Sequence, residues 1–119
     1  EVGGRSVRIG QGNNVLVFPG LGLGVLLGGI RMVTDEMLTA AAFTLAGKVT
    51  DAELASGMLF PAVSRLREVS ADVAAAVIAN SRGAAVTVTP PAALVEAVRR
   101  RMWVPRYEEY VAETGDAAE

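Results

Sequence analysis

Two groups of residues in the first quarter of the chain are of types that could bind a ligand. Asn13 and Asn14 end the segment "GQGNN", and side-chain amides offer N–H donors and a carbonyl acceptor that suit an α-hydroxy acid, a carboxylate or a carboxamide. Gly20, Gly22 and Gly24 follow the apolar run "VLVFP", and a glycine-rich turn after a buried strand is where Rossmann-type folds bind a pyrophosphate. Each group also has a structural interpretation, a turn for the asparagines and close helix packing for the glycines.

The spacing of the glycines argues against a phosphate loop. The dinucleotide fingerprint needs Gly-x-Gly-x-x-Gly or Ala, with an acidic residue about 20 positions further on. Counting from Gly20 the sixth position is Val25, and counting from Gly22 it is Leu27. The nearest acidic residue, Asp35, lies only 15 positions beyond Gly20, at the start of a predicted helix. We therefore favour helix packing for these glycines.

The composition excludes several classes of function. The 119 residues have a formal net charge of -2 with both signs dispersed, so we expect no nucleic-acid partner and no membrane-surface partner. The absence of histidine and cysteine excludes Ser/His and Cys/His catalysis and zinc-thiolate sites. The uncharged apolar run at 15–30 is shorter than the ~20 residues of a membrane helix, and no basic segment precedes it as in a signal peptide. We expect a cytoplasmic protein.

The pattern along the chain predicts one buried strand followed by helices. The run "VLVF" at 15–18 is typical of a strand covered on both faces, ended by Pro19 and Gly20. Helices are predicted from residue 21 to 32, from the N-cap Thr34, from the capping box Thr50/Glu53, over 64–83 and after the paired prolines at 90–91. In the fourth of these, Leu66, Val69, Val73, Val77 and Ile78 form the expected apolar face. Residues 84–89 could form a short edge strand, and residues 112–119 a frayed tail.

Several of these segments together resemble the C-terminal end of malic enzymes. They are "IGQGNNVLVFPGLGLG", "RMVTDEMLTAAAFTLAGKVTDAEL", "GMLFPAVSRLREVSADVA" and "VRRRMWVPRY", in the expected order over about Gly4 to Tyr107. The resemblance implies an α/β fold class: the C-terminal portion of a Rossmann-type NAD(P)-binding domain, mostly helical with one clear buried strand. Residues 1–119 would then be a single domain or a fragment of one.

The resemblance also implies an activity for the parent protein. Malic enzymes oxidatively decarboxylate (S)-malate to pyruvate and CO2 with NAD or NADP and a divalent metal, Mg²⁺ or Mn²⁺. Hydride leaves malate C2, the oxaloacetate formed is decarboxylated with help from the metal, and enolpyruvate is then protonated. In the family the catalytic tyrosine and lysine, the metal carboxylates and the glycine fingerprint lie N-terminal to the matched segment, so none maps here. An asparagine of the "GQGNN" motif binds malate in the family, which makes Asn13 and Asn14 the expected substrate-binding residues.

Two other functions remain open at this point. A malolactic enzyme shares the architecture and makes lactate, and a non-catalytic helical module would use its apolar helices for oligomerisation. The expected partners are malate and NAD(P), in a homo-oligomer. We expect the carboxylates of "TDE" and "YEEY" to be solvated charges, and Trp103 and Tyr107 to pack the C-terminal segment or an interface. Lys48 is expected to complement a helix dipole.

Overall fold

The computed structural model describes residues 3–4, 6–81 and 90–110, and in these ranges the chain is mostly helical. The helices are α1 (Phe18–Gly28), α2 (Asp35–Ala46), α3 (Asp51–Ala55), α4 (Leu66–Ala79) and α5 (Ala92–Arg101). Two 3₁₀ turns, Asn14–Leu16 and Val63–Arg65, precede α1 and α4. The predicted edge strand at 84–89 and the predicted tail at 112–119 lie outside the described residues.

The buried strand expected at residues 15–18 is wrong. A 3₁₀ turn, Asn14–Leu16, includes the first two residues of the segment and α1 begins at Phe18, and no strand occurs among the described residues. The physical reason is local: Oδ1 of Asn13 accepts a hydrogen bond from the backbone N–H of Val15 at 2.9 Å, which caps a helical turn. The proline that follows lies in the first turn of α1, where a missing N–H costs nothing. Capping therefore outweighs the β-propensity of the apolar run.

The packing of α1 against α4 depends on two glycines. A β-carbon at Gly20 would lie 2.7 Å from Cβ of Val73, and one at Gly24 would lie 2.9 Å from both Cβ of Val77 and the carbonyl oxygen of Ala74. Real β-carbons do not approach other atoms this closely, so any larger residue would push the helices apart. The helix-packing interpretation of these two glycines is confirmed.

Helix α4 is the centre of the core. Val69, Val73 and Val77 are completely buried, as their spacing predicts, and Met37 of α2 and Val98 of α5 are buried against the same helix. The predicted single apolar face is nevertheless too narrow, because every residue from 69 to 77 is buried. Helices α1, α2 and α5 all pack on α4, so its small alanines are buried along with its valines.

An ion pair joins the end of α2 to the middle of α4. Nζ of Lys48 lies 2.5 Å from Oδ2 of Asp72, whose side chain is only 9% exposed. A carboxylate removed from water in this way is tolerated when a cation compensates it. Lys48 therefore neutralises a buried charge on α4, and this contact is more specific than the predicted interaction with the α2 dipole.

A second electrostatic cluster fixes the loop between α3 and α4. The predicted capping box is confirmed: the Glu53 backbone N–H donates to Oγ1 of Thr50, and the Thr50 backbone N–H donates to Oε2 of Glu53 at 2.8 Å. The same carboxylate accepts from the backbone N–H of Ala62 at 3.0 Å and from Nη1 of Arg65 at 3.4 Å. These hydrogen bonds, above all that from Thr50, lower the pKa of Glu53. Gly57 then turns the chain away from α3 at a φ of 91°.

We expect alanine to have opposite effects at neighbouring glycines of α1. Gly24→Ala should destabilise the chain by about 1–3 kcal/mol, because the new β-carbon overpacks the contact with α4. Gly22→Ala is the matched control: no atom lies within 4 Å of its β-carbon, so helix propensity should leave stability unchanged or raise it by up to about 1 kcal/mol. Urea unfolding measures both changes. Equal effects at the two positions would contradict the packing described here.

Breaking the ion pair between Lys48 and Asp72 should destabilise the chain more than breaking an exposed pair. Lys48→Met leaves a buried carboxylate without its cation and should cost about 1–3 kcal/mol, below the full burial penalty because Lys48 is 28% exposed. Adding Asp72→Leu to the same chain should recover most of the loss. The control is Glu96→Gln, since Glu96 and Arg100 form an exposed pair at 4.0 Å worth less than about 1 kcal/mol. Urea unfolding that shows the same loss for Lys48→Met and Glu96→Gln would refute the assignment.

The lowered pKa of Glu53 makes stability depend on pH at the acid end. A carboxylate with a lower pKa in the folded state contributes stability that is fully present above its unfolded pKa and is lost as pH falls through the folded value. Stability should therefore decline below pH 4.5, the ordinary pKa of this group. Denaturation followed by circular dichroism between pH 6 and pH 2 should show a shallower decline for Glu53→Gln. Glu108→Gln, in the exposed C-terminal segment, should retain the original profile, and an unaltered profile for Glu53→Gln would contradict this role.

Candidate functional site

The two asparagines lie on the surface where residues 6–12, a segment without regular secondary structure, meet the 3₁₀ turn. Asn13 is the N-cap of that turn, with extended backbone angles of -129° and 136°. Its Oδ1 is committed to the backbone N–H of Val15, and this bond fixes which side of the amide is the oxygen. The Nδ2 group consequently remains as a donor of two hydrogen bonds. Asn13 thus uses its oxygen to cap the turn, and its nitrogen makes no hydrogen bond among those found within the described residues.

Asn14 has the less constrained side chain of the two. Its backbone carbonyl accepts from the Val17 N–H at 3.1 Å and so closes the 3₁₀ turn. Its side chain is exposed and makes no hydrogen bond within the described part of the chain. Both the donors and the acceptor of this amide are therefore available to a ligand.

The segment that leads to the asparagines lies against the loop between α3 and α4. The Arg8 N–H donates to the carbonyl oxygen of Ser56 at 2.8 Å. A β-carbon at Gly10 would lie 3.6 Å from the backbone nitrogen of Phe60, and one at Gly12 would lie 3.2 Å from Cε2 of its ring. The approach at Gly10 would be an ordinary van der Waals contact for a β-carbon, and only the approach at Gly12 is close enough to favour glycine. Sequence reasoning missed the role of the loop, for which the glycine pair was the sole signal.

The glycines of "GLGLG" do not form an anion-binding loop. All three lie inside α1: the N–H groups of Gly22 and Gly24 are used by the helix itself, and Gly20, in the first turn, is buried. Gly20 and Gly24 contact α4, and Gly22 is exposed.

The other candidates from the sequence are either paired with another side chain or exposed. Lys48 is paired with Asp72. At the start of α2 the Thr34 side chain hydrogen-bonds to Glu36 and lowers the pKa of that carboxyl, although Thr34 makes no side-chain cap to the backbone. Trp103 is 77% exposed and Tyr107 is fully exposed, so neither is buried among the described residues. Their expected role at an interface stays a prediction.

The described residues do not fit a divalent metal. No group of three or more Asp, Glu, His or Cys side chains comes together among them, and we derive no metal-dependent step from this segment. Within the same ranges, none of the helices has the length and hydrophobicity needed to cross a bilayer.

Comparison with known proteins identifies the family of the chain. The family model "Malic enzyme, NAD binding domain" matches residues 1–82. A mitochondrial NAD-dependent malic enzyme of Amaranthus hypochondriacus is 51% identical over 75 residues, which are 63% of this chain and 12% of that protein. NADP-dependent malic enzyme 2 of Arabidopsis thaliana is 39% identical over 109 residues, 90% of this chain and 18% of that protein.

The relatives overturn the expectation of a cytoplasmic protein. The enzyme from Amaranthus hypochondriacus is mitochondrial, and a chloroplastic NADP-dependent malic enzyme of Zea mays is 38% identical over 92% of this chain and 18% of its own length. The expectation is wrong because composition does not decide the compartment: a chain that cannot form disulfides is compatible with any of them.

The match extends along most of the chain but covers a small part of each relative. The chain spans between about an eighth and a fifth of the relatives' length. It contains the motifs "GQGNN", "VTDEML" and "REVS" on which the resemblance rests. The chain belongs to the malic enzyme family and corresponds to a segment of the family's NAD-binding domain.

Proposed function

We propose that the parent protein oxidatively decarboxylates (S)-malate to pyruvate and CO2 while reducing NAD or NADP, and that this segment orients malate through Asn13 and Asn14. Family membership supports the reaction class. Relatives named as NAD-dependent and as NADP-dependent both match this segment, so either dinucleotide is compatible with it. Mg²⁺ or Mn²⁺ would be bound by residues of the parent outside this segment.

The observation that carries the proposal is the fixed amide of Asn13. Because its Oδ1 is held by the Val15 N–H, its Nδ2 donors have one preferred placement before any ligand arrives. A pre-oriented donor loses less entropy on binding than a freely rotating one. Malate carries two carboxylates and a hydroxyl, and hydrogen bonds from neutral amides to a carboxylate belong to the stronger class.

Asn14 supplies the complementary chemistry. Its amide can donate to a second malate oxygen or accept from the C2 hydroxyl, since neither function is used within the described residues. The two adjacent amides would thus form hydrogen bonds with both a carboxylate and the hydroxyl of the substrate. This division of roles extends the expectation from the sequence, which did not distinguish the two residues.

The segment itself contributes binding and orientation in this proposal, without an acid, a base or a metal ligand. The ammonium of Lys48 already compensates Asp72, and we assign it no proton transfer. Proton transfer and decarboxylation would depend on the rest of the parent, so we expect the isolated segment to be inactive.

Substitution of the asparagines in the intact parent should weaken malate binding. Asn13→Ala and Asn14→Ala should each lower kcat/KM for malate by roughly 10- to 150-fold, which corresponds to the loss of about 1.5–3 kcal/mol for a hydrogen bond to a charged group. Asn13→Asp is the sharper variant, because a carboxylate still caps the Val15 N–H but can no longer donate to malate. Steady-state kinetics with NAD and with NADP, together with the thermal unfolding midpoint, separate binding from folding.

Gln11→Ala is the matched control, since Gln11 carries an exposed amide two residues before Asn13. It should leave kcat/KM within about twofold of the unmodified enzyme, well under the effect of a lost hydrogen bond. Unchanged kinetics in all three asparagine variants would refute the site. Chromatography of the product tests the reaction separately: pyruvate supports the proposal, and lactate would indicate a malolactic enzyme.

A further inference from the structure

We infer that Phe60 is a positioning residue for the substrate-binding asparagines, acting through Gly12. The inference rests on the proposed function, because it assigns Phe60 a role in placing the malate-binding amides. Phe60 lies in the loop between α3 and α4, 48 positions from Gly12 in the sequence. It touches neither substrate nor cofactor in this proposal.

The contact that carries the inference is the approach of the Phe60 ring to the backbone of Gly12. The three atoms nearest to a β-carbon at Gly12 all belong to the ring of Phe60, with Cε2 at 3.2 Å. The ring therefore packs against Gly12, the residue that immediately precedes Asn13. Phe60 is partly buried in this position, with 36% of the residue exposed.

The loop that carries Phe60 is anchored on both sides by Glu53. Before the ring, the Met58 N–H donates to the carbonyl oxygen of Glu53 at 3.0 Å, and Met58 is buried. After the ring, the Ala62 N–H donates to Oε1 of Glu53, also at 3.0 Å. Arg65, which donates to the same carboxylate and to the carbonyl oxygen of Lys48, ties this anchor to the end of α2. Phe60 consequently lies in a loop that is held to Glu53 by hydrogen bonds on both sides of the ring.

A displacement of Gly12 would be transmitted directly to the site. Asn13 follows Gly12 in the chain, and its extended backbone conformation brings Oδ1 within 2.9 Å of the Val15 N–H. If Gly12 moved into the space of a missing ring, that conformation would no longer be enforced from the N-terminal side. The Nδ2 donors would then lose their fixed placement, and small misplacements of binding groups have large effects.

The test compares Phe60 with its neighbour in the intact parent enzyme. Phe60→Ala should raise KM for malate by about fivefold, the change that corresponds to the loss of roughly 1 kcal/mol. The changes in kcat and in KM for NAD(P) should stay within about twofold, and Phe60→Tyr, which retains the ring, should behave like the unmodified enzyme. Leu59→Ala is the matched control, because Leu59 lies in the same loop but is 74% exposed, and it should leave KM for malate unchanged.

A double-variant cycle tests whether the effect passes through Gly12. Gly12→Ala alone places a β-carbon 3.2 Å from the ring and should also raise KM for malate. In the chain that already carries Phe60→Ala, the same substitution should have a much smaller effect, because the ring that the β-carbon meets is gone. Purely additive effects would overturn the inference, since residues that act through one contact are not additive.

The remaining outcomes separate this inference from the proposed function. If the asparagine variants raise KM for malate and Phe60→Ala lowers only the thermal unfolding midpoint, Phe60 is a packing residue and only this inference fails. If Phe60→Ala raises the KM for malate and for NAD(P) equally, it acts on the whole domain and the inference also fails. If the asparagine variants leave malate kinetics unchanged, the proposed function fails and this inference fails with it.

Discussion

The close contact between α1 and α4 is the constraint on which the rest of this structure depends. Gly20 and Gly24 let α1 approach the backbone of α4, where the buried stretch 69–77 forms the centre of the core. Because α1 begins directly after the 3₁₀ turn, the position of α1 also determines where that turn lies. The contact between α1 and α4 therefore determines the position of Asn13 and Asn14, although neither residue takes part in it.

Electrostatic contacts hold the loop between α3 and α4, on which the segment before Asn13 lies. Glu53 holds the loop between α3 and α4 through backbone N–H groups before and after α3, and Arg65 connects this carboxylate to the end of α2. The irregular segment before Asn13 then lies on that loop through Gly10 and Gly12. The candidate site is thus held by the packing of α1 on α4 and by the charge network of the loop between α3 and α4.

The features that sequence reasoning predicted correctly are those with local causes. The capping box at Thr50 and Glu53 depends on residues three positions apart, and the buried valines of α4 repeat at helical spacing. The prediction of a strand at 15–18 was wrong because a short apolar run without alternation is compatible with a strand or a buried helix. The hydrogen bond from the Val15 N–H to Asn13 favours the helical conformation. The approach of Phe60 to Gly12 joins residues far apart in the chain, and no local pattern predicts such a contact.

The proposed malate site is tested most directly by a crystal structure of the intact parent enzyme with malate and the oxidised dinucleotide bound. Nδ2 of Asn13 should lie within about 3.2 Å of a malate oxygen, as expected for an N–H···O hydrogen bond. The Asn14 amide should reach a second oxygen, while Oδ1 of Asn13 stays on the Val15 N–H. Malate bound with both amides beyond hydrogen-bonding distance would refute the site.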